Sequence, residues 1–192
     1  ATEEILHYWN DLRGEDAAPA RARFEPAALR HLLPHLFILA PQLAPRLSFA
    51  LAGTRICELF DRELRGSDFG SIWTRERVAI SPPSIAESVC AQERPALVDV
   101  AVSPGGEAFS YDMLLLPMRS GDNKSDRVLG ALLARAQPLP AILAPISKLK
   151  LRSWRFVDPD GEGLYPDPIG TEGSVTFIRR LIGGGWFVQA GR

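Results

Sequence analysis

The sequence predicts an α+β domain: a five-stranded antiparallel sheet with helices gathered on one face, an N-terminal helix before it and a C-terminal extension after it. Three observations carry this reading. Between residues 96 and 136, apolar and β-branched runs are separated by the turn-rich pieces "SPGGE" and "RSGDNKSDR". Upstream, two shorter runs, "LFILA" and "RLSFALAG", form a second strand group. Helical patterns with capping residues and bounding prolines stand between the two groups, which gives the order strands, helices, strands.

A chain of 192 residues builds one core of ordinary size. Its 46% hydrophobic and 23% charged residues match an average globular protein. A net charge of −1 supplies no drive toward nucleic acid or anionic lipid. Arg21, Arg23, Arg46, Arg55, Arg62 and Arg65 are scattered and read as solvated surface. Cys57 and Cys90 fit no metal-ligand spacing and lie in amphipathic segments, where a free thiol acts as a small hydrophobe. A reducing compartment follows from that usage. No run reaches the apolar length of a membrane span, and "ATEEILHYW" lacks the order of a signal peptide, so a cytoplasmic protein is expected.

Residues 2 to 13 read as an amphipathic helix capped by Thr2 and ended by Gly14, with Ile5, Tyr8, Trp9 and Leu12 on one face. That face either packs on the domain's own core or forms the interface of a homodimer or a partner complex. A second helix starts at Pro26, buries Leu29, Leu32 and Leu33, and ends before Pro34. His31 and His35 stand four apart, but the intervening proline removes the register of a metal pair. "LFILA" is a short buried strand, and a turn-like link from Pro41 to Pro45 leads to the next, in which Leu47, Phe49 and Leu51 share a face.

Thr54 is the expected N-cap of a helix that turns Ile56, Leu59 and Phe60 inward. "SDFGSIW" follows as irregular chain. Ser84 and Glu87 have capping-box spacing for the next helix, whose apolar face is Ile85, Val89 and Cys90 and which Pro95 stops. "ALVDVAVS", "AFSYDMLLLPM" and "VLGALLARA" form an antiparallel meander, and "LKLRSWRFV" offers a sixth, outer strand. Asp158 to Gly173, rich in Asp, Pro and Gly, reads as a mobile loop; "SVTFIRRLI" then returns to apolar periodicity. The expected organisation is an N-terminal helical segment at 1–35, a core at 36–137 and a C-terminal extension at 138–192.

Particular motifs add a resemblance. "YWNDLRG" followed by Pro19-Ala20-Arg21, then "LPHLFIL", "LAGTRICELFDRELRG", "LLLPM" and "LGAL", resemble the PAS-like domain family of short alphaproteobacterial proteins, from about Tyr8 to Ala136. The resemblance implies a PAS-like fold and a stand-alone sensory role in signal transduction, with a small ligand or a signalling protein as partner and no catalysis. The chain departs from the family pattern in three places. Arg23 and Phe24 stand where an acidic residue usually follows the Pro-x-Arg element, Ala50 stands where an Arg often precedes "LAG", and Asp61 stands where Gly is common. Such changes imply a ligand different from that of relatives, or none.

The residues agree with that implication through what they lack. "IGGGW" has no lysine or hydroxyl for a phosphate loop, no Gly-x-Ser-x-Gly elbow occurs, and all three histidines fall within the first 35 residues. Glu58, Asp61 and Glu63, interleaved with Arg55, Arg62 and Arg65, read as surface ion pairs rather than as acid and base. Haem is not expected, because residues 74 to 136 contain no histidine. A photoreactive flavin is not expected either, since neither "RICEL" nor "SVCAQ" places a cysteine in an Asn-Cys-Arg-like context. No cofactor is identified.

The remaining functional candidate is a pocket between sheet and helices, walled by Phe49, Phe69, Trp73, Val89, Tyr111 and Met113, with Arg55 or the Tyr111 hydroxyl as polar contact. The competing reading is that these side chains fill a core. A purely interaction-based adaptor, or a small enzyme using the α+β cavity, are the alternatives to a ligand-binding sensor.

Overall fold

A computed structural model of the chain describes residues 1–43, 46–75, 80–103, 109–121, 124–135 and 145–158, together with the backbone of two short strands at Phe177–Ile178 and Val188–Gln189. Three α-helices are present among the described residues: α1 (Thr2–Arg13), α2 (Thr54–Phe60) and α3 (Pro82–Gln92). Six strands form the main sheet: β1 (Leu36–Leu43), β2 (Arg46–Ala52), β3 (Ala96–Val102), β4 (Phe109–Met118), β5 (Arg127–Ala134) and β6 (Lys150–Phe156). Their order is β2-β1-β5-β4-β3-β6, and every neighbouring pair is antiparallel. The α+β fold is thus the one the sequence predicts, with the outer strand of "LKLRSWRFV" paired to β3, Val98 opposite Trp154.

Two apolar clusters sandwich the sheet. Phe37, Leu39, Leu47, Phe49, Val98, Val100, Met113, Leu115, Val128 and Leu132 pack beneath α2, α3 and the 3-10 turn Phe69–Ile72. The alternate residues Leu36, Ile38, Leu97, Leu114, Leu116, Leu129 and Ala131 pack beneath Ile5, Leu6 and Trp9 of α1 and beneath Leu29 and Leu32. The two sets have period two along each strand, as side chains on a pleated backbone must. Runs such as "MLLLPM" are apolar at both parities, and β4 is buried continuously from Tyr111 to Met118. Hence α1 lies across the face opposite the other helices, with the Trp9 indole donating to the Pro117 carbonyl at 2.8 Å.

Several helix ends differ from expectation. Ala1, not Thr2, is the N-cap of α1. Gly53, not Thr54, is the N-cap of α2, and no side chain caps it. In α3 the N-cap is Ser81, whose hydroxyl accepts from Ser84 N–H; Pro82 and Pro83 take the first helical positions, where a missing N–H costs nothing, so the helix starts three residues before the expected box. The helix expected from Pro26 is two separate 3-10 turns, Pro26–Leu29 and Leu33–His35. The bonds here run from residue i to i−3, Arg30 N–H to Ala27 O, Leu32 N–H to Leu29 O and His35 N–H to Leu32 O, and Pro34 has no N–H with which to continue an α-helical turn.

β1 runs on through Pro41 to Leu43, so the link to β2 is shorter than the turn expected from Pro41 to Pro45. Pro41 is tolerated because β1 pairs with β5 only from Leu36 to Leu39, leaving its far end with one neighbour. The loop expected beyond Asp158 lies outside the described residues. Of "SVTFIRRLI", only Phe177–Ile178 is described, paired with Val188–Gln189.

The step from β2 to α2 at Ala52-Gly53-Thr54 has a steric cause. A Cβ on Gly53 would stand 2.3 Å from the Pro34 carbonyl oxygen and 2.5 Å from that of Leu33. Only glycine lets the two backbones pass so closely while Gly53 N–H donates to Leu36 O at 2.8 Å. No helix among the described residues is long and apolar enough to cross a membrane.

Candidate functional site

Aromatic side chains from the sheet and from the segment that covers it pack on one another between sheet and helices. Phe37, Phe49 and Phe69 form a mutual aromatic contact with centroid separations of 5.6, 6.1 and 5.8 Å, and Trp73 continues it at 5.7 Å from Phe69. Each ring pair lies in the range where edge or offset packing is favourable. Val89, Tyr111 and Met113 belong to the same buried cluster. Burial pushes the Tyr111 phenol above its ordinary pKa, which keeps that hydroxyl neutral. The structure therefore brings Phe49, Phe69, Trp73, Val89, Tyr111 and Met113 together. Arg55 is not among them: its side chain is 66% exposed and pairs with Glu58 at 3.0 Å. Glu63 accepts from the Arg65 backbone N–H at 3.0 Å and from the Cys57 thiol at 3.6 Å. Among the described residues, no three His, Cys, Asp or Glu side chains group as metal ligands.

The N-terminal candidates divide as well. Ile5 and Trp9 are fully buried against their own sheet and so offer no surface to a second chain. Tyr8 and Leu12 are half-buried. Tyr8 is held by Glu25, whose backbone N–H donates to the phenol oxygen at 2.8 Å.

The described residues also frame an open cleft of about 690 Å³ at the rim of this core. The start of β2 supplies Arg46 and Leu47, the stretch from Asp68 to Arg75 supplies the floor, and the first turns of α3 supply Ser81, Pro83, Ser84 and Glu87. Lys148 closes the rim and donates to the Ser71 carbonyl. Local hydrogen bonds fix this frame. Asp68 Oδ1 accepts from Gly70 N–H at 2.8 Å and caps the Phe69–Ile72 turn. Thr74 N–H donates to Leu149 O at 2.8 Å and Leu149 N–H to Ile72 O at 2.7 Å, which straps the segment before β6 onto the floor.

Two polar atoms of the lining have no hydrogen-bond partner among the described residues although both are shielded from water: Trp73 Nε1 and Ser71 Oγ. A buried polar group left unpaired costs about 1–3 kcal/mol, so these two side chains hold unspent hydrogen-bonding capacity beside an open cleft. Arg46 and Arg75 line the cleft and are exposed. Of the residues placed in the sequence-predicted pocket, only Trp73 lines this cleft. Arg75, Ser71 and Lys148 were not legible as site residues, because they come from an irregular segment and from a stretch assigned to the C-terminal extension. Arg46 was visible only as one scattered arginine among several.

A family model described as "PAS domain" matches residues 1–133. Among solved structures, the chain is similar to one described as "Flavin Analogue Sheds Light on Light-Oxygen-Voltage Domain Mechanism", at 14% identity, covering 58% of this chain and 84% of that one, with a TM-score of 0.44. No curated protein matches the chain.

Proposed function

Because this chain belongs to the PAS domain family, with the family match running over residues 1–133, we propose that it is a sensory or regulatory domain that works by binding and not by catalysis. The observation that carries the reading is the cleft beside Trp73, of about 690 Å³, which lies within the size range of small-molecule sites. Recognition is assigned to this rim cleft in place of the interior between sheet and helices, where Phe37, Phe49 and Phe69 pack on one another. The signal passes to a protein partner in the cytoplasm. Any homodimer contact through α1 uses its half-buried residues, Tyr8 and Leu12, because Ile5 and Trp9 are consumed within the chain.

Native mass spectrometry of freshly purified protein, against the denatured chain, tests this reading. A bound molecule should appear as extra mass lost on denaturation, and Thr74→Trp, which places an indole in the cleft from an exposed position, should remove it without altering the fold. Retention of the same mass by the Thr74→Trp protein would overturn the cleft assignment. A second reading is an adaptor that binds a protein and no small molecule. The mutual packing of Phe37, Phe49 and Phe69 in the interior favours it, and the absence of extra mass from protein made in several hosts would select it.

A further inference from the structure

We propose that the cleft takes a small organic carboxylate, with its carbon skeleton against Leu47, Trp73 and Pro83 and its carboxylate held by the guanidinium groups of Arg46 and Arg75. The inference rests on the cleft being the recognition site. Three observations lead to it.

First, two of the three cations have no partner among the described residues. Among the described residues, Arg46, Arg75 and Lys148 share the cleft with two carboxylates, Asp68 and Glu87. Neither arginine makes an ion pair or a hydrogen bond among the described residues, although both carboxylates line the same cleft. Asp68 is turned instead to Gly70 N–H, and Lys148 to the Ser71 carbonyl. A guanidinium presents a planar fork that matches a carboxylate with two parallel hydrogen bonds.

Second, among the described residues the helix start that faces the cleft offers no free backbone donor at Pro82, Pro83 or Ser84 for a phosphate. The N-terminus of α3 opens onto the cleft, but Pro82 and Pro83 have no N–H, and Ser84 N–H is already given to Ser81 Oγ. Phosphate recognition at helix starts relies on several free N–H groups. Here the charge contacts come from side chains, and Leu47, Trp73 and Pro83 are the apolar part of a mixed lining.

Third, both unpaired groups are able to donate to an acceptor. The Trp73 indole, in a side chain 4% exposed, is a donor only, and it has no acceptor among the described residues. Ser71 Oγ, from the same lining, is also unpaired among the described residues. A carboxylate brings two oxygens with lone pairs to spare. Because both atoms are shielded, docking requires a small shift of the wall, for which the Lys148 contact to Ser71 O is the rim element that must open.

The test is a titration of the full chain with benzoate and with butyrate, each beside its neutral amide and beside inorganic phosphate. The readout is the indole N–H proton resonance of Trp73, assigned by its loss in Trp73→Phe. Saturable downfield movement with at least one carboxylate, and at least tenfold weaker binding of its amide and of phosphate, is expected. The double variant Arg46→Ala/Arg75→Ala, both exposed positions, should weaken carboxylate binding at least tenfold with an unchanged far-UV spectrum, and the double lysine variant should restore part of it. No movement with either carboxylate, equal binding of amide or phosphate, or a loss below tenfold in the double alanine variant would overturn the proposal. A neutral molecule retained in native mass spectrometry and displaced by Thr74→Trp would overturn it while leaving the cleft as the recognition site. Retention of that molecule by Thr74→Trp would remove the cleft itself.

Discussion

The ring of Phe37 lies on the α-carbon of Gly130, its cross-strand partner in the β1–β5 pair. A Cβ at position 130 would stand 2.0 Å from Phe37 Cζ and 2.2 and 2.6 Å from the two Cε atoms. The contact explains why a glycine sits in the middle of an otherwise apolar strand: the aromatic ring takes the volume that a side chain would use. Through Phe37 the contact extends to Phe49 and Phe69, so it sets how deeply the Phe69–Ile72 turn can settle over the sheet.

Gly130→Ala is therefore expected to destabilise the domain by about 1–3 kcal/mol, the usual cost of forcing extra volume into a packed core. The clash falls on ring atoms that are held by two further rings, so rotation of Phe37 does not relieve it cheaply. Urea unfolding followed by tryptophan fluorescence should show a lower midpoint with an unchanged slope. An unchanged midpoint would mean that the interior has room, and would return the space between sheet and helices to consideration as a ligand site.

Trp9 separates a structural from an associative role for α1. It is fully buried, and its indole N–H donates to Pro117 O at 2.8 Å. Trp9→Ala should cost about 3–5 kcal/mol, as large aromatic truncations in cores do. Trp9→Phe keeps most of the packing but leaves the Pro117 carbonyl without its donor, for about 1–3 kcal/mol. The decisive measurement is the molecular mass of Trp9→Phe in solution. It should equal that of the parent protein, because the residue faces its own sheet; a change in oligomeric state would place the helix at a subunit boundary instead.

How much of this was legible in the sequence depends on what each residue depends on. The strands of the meander were legible because period-two patterning and turn residues are local properties, and β3, β4 and β5 fall within a residue or two of where "ALVDVAVS", "AFSYDMLLLPM" and "VLGALLARA" place them. Helix starts were less so. Ser81 and Ser84 are equally good caps in isolation, and the choice was made by Pro82 and Pro83, which fit only the first helical positions. The cleft was the least legible feature. Arg46 and Lys148 are about a hundred residues apart in the chain, and only the strapping of Leu149 onto Ile72 and Thr74 brings them to one rim.

His35 gives a pH dependence whose sign follows from its surroundings. Burial chiefly, and then the nearby Arg55 charge, lower its pKa below the ordinary 6.5, against the opposing hydrogen bond to the Leu132 backbone. The unfolded chain thus takes up a proton at a higher pH than the folded one. Above about pH 6.5 neither state is protonated and the group contributes no pH dependence. As the pH falls from there through the lowered folded value, the unfolded state binds more protons and stability declines; below that value the loss levels off. Urea midpoints measured from pH 7.5 down to 5 should therefore fall less steeply in His35→Asn than in the parent protein. Arg55→Ala should lie between the two, since it removes the second cause and leaves the first. Equal slopes in the parent and His35→Asn would show that another group governs the window.

Two helices end on non-glycine residues in the left-handed region, and their substitutions should move stability in opposite directions. Asp61 closes α2 with φ of 48°, and Glu93 closes α3 with φ of 51°. Glycine adopts this conformation without the Cβ–carbonyl conflict, and it is the residue the family resemblance places where Asp61 stands. Asp61 is exposed and its side chain makes no hydrogen bond or ion pair among the described residues, so Asp61→Gly should gain up to about 1 kcal/mol. Glu93 has the same backbone, but its Oε1 accepts from both the N–H and the hydroxyl of Ser125 at 3.0 Å. Ser125 is buried. Glu93→Gly relieves the backbone and strands these donors, at a cost of about 1–3 kcal/mol that exceeds the relief. Urea midpoints should therefore rise for Asp61→Gly and drop for Glu93→Gly, and a rise in both would mean that the Ser125 contacts contribute less than the left-handed backbone costs.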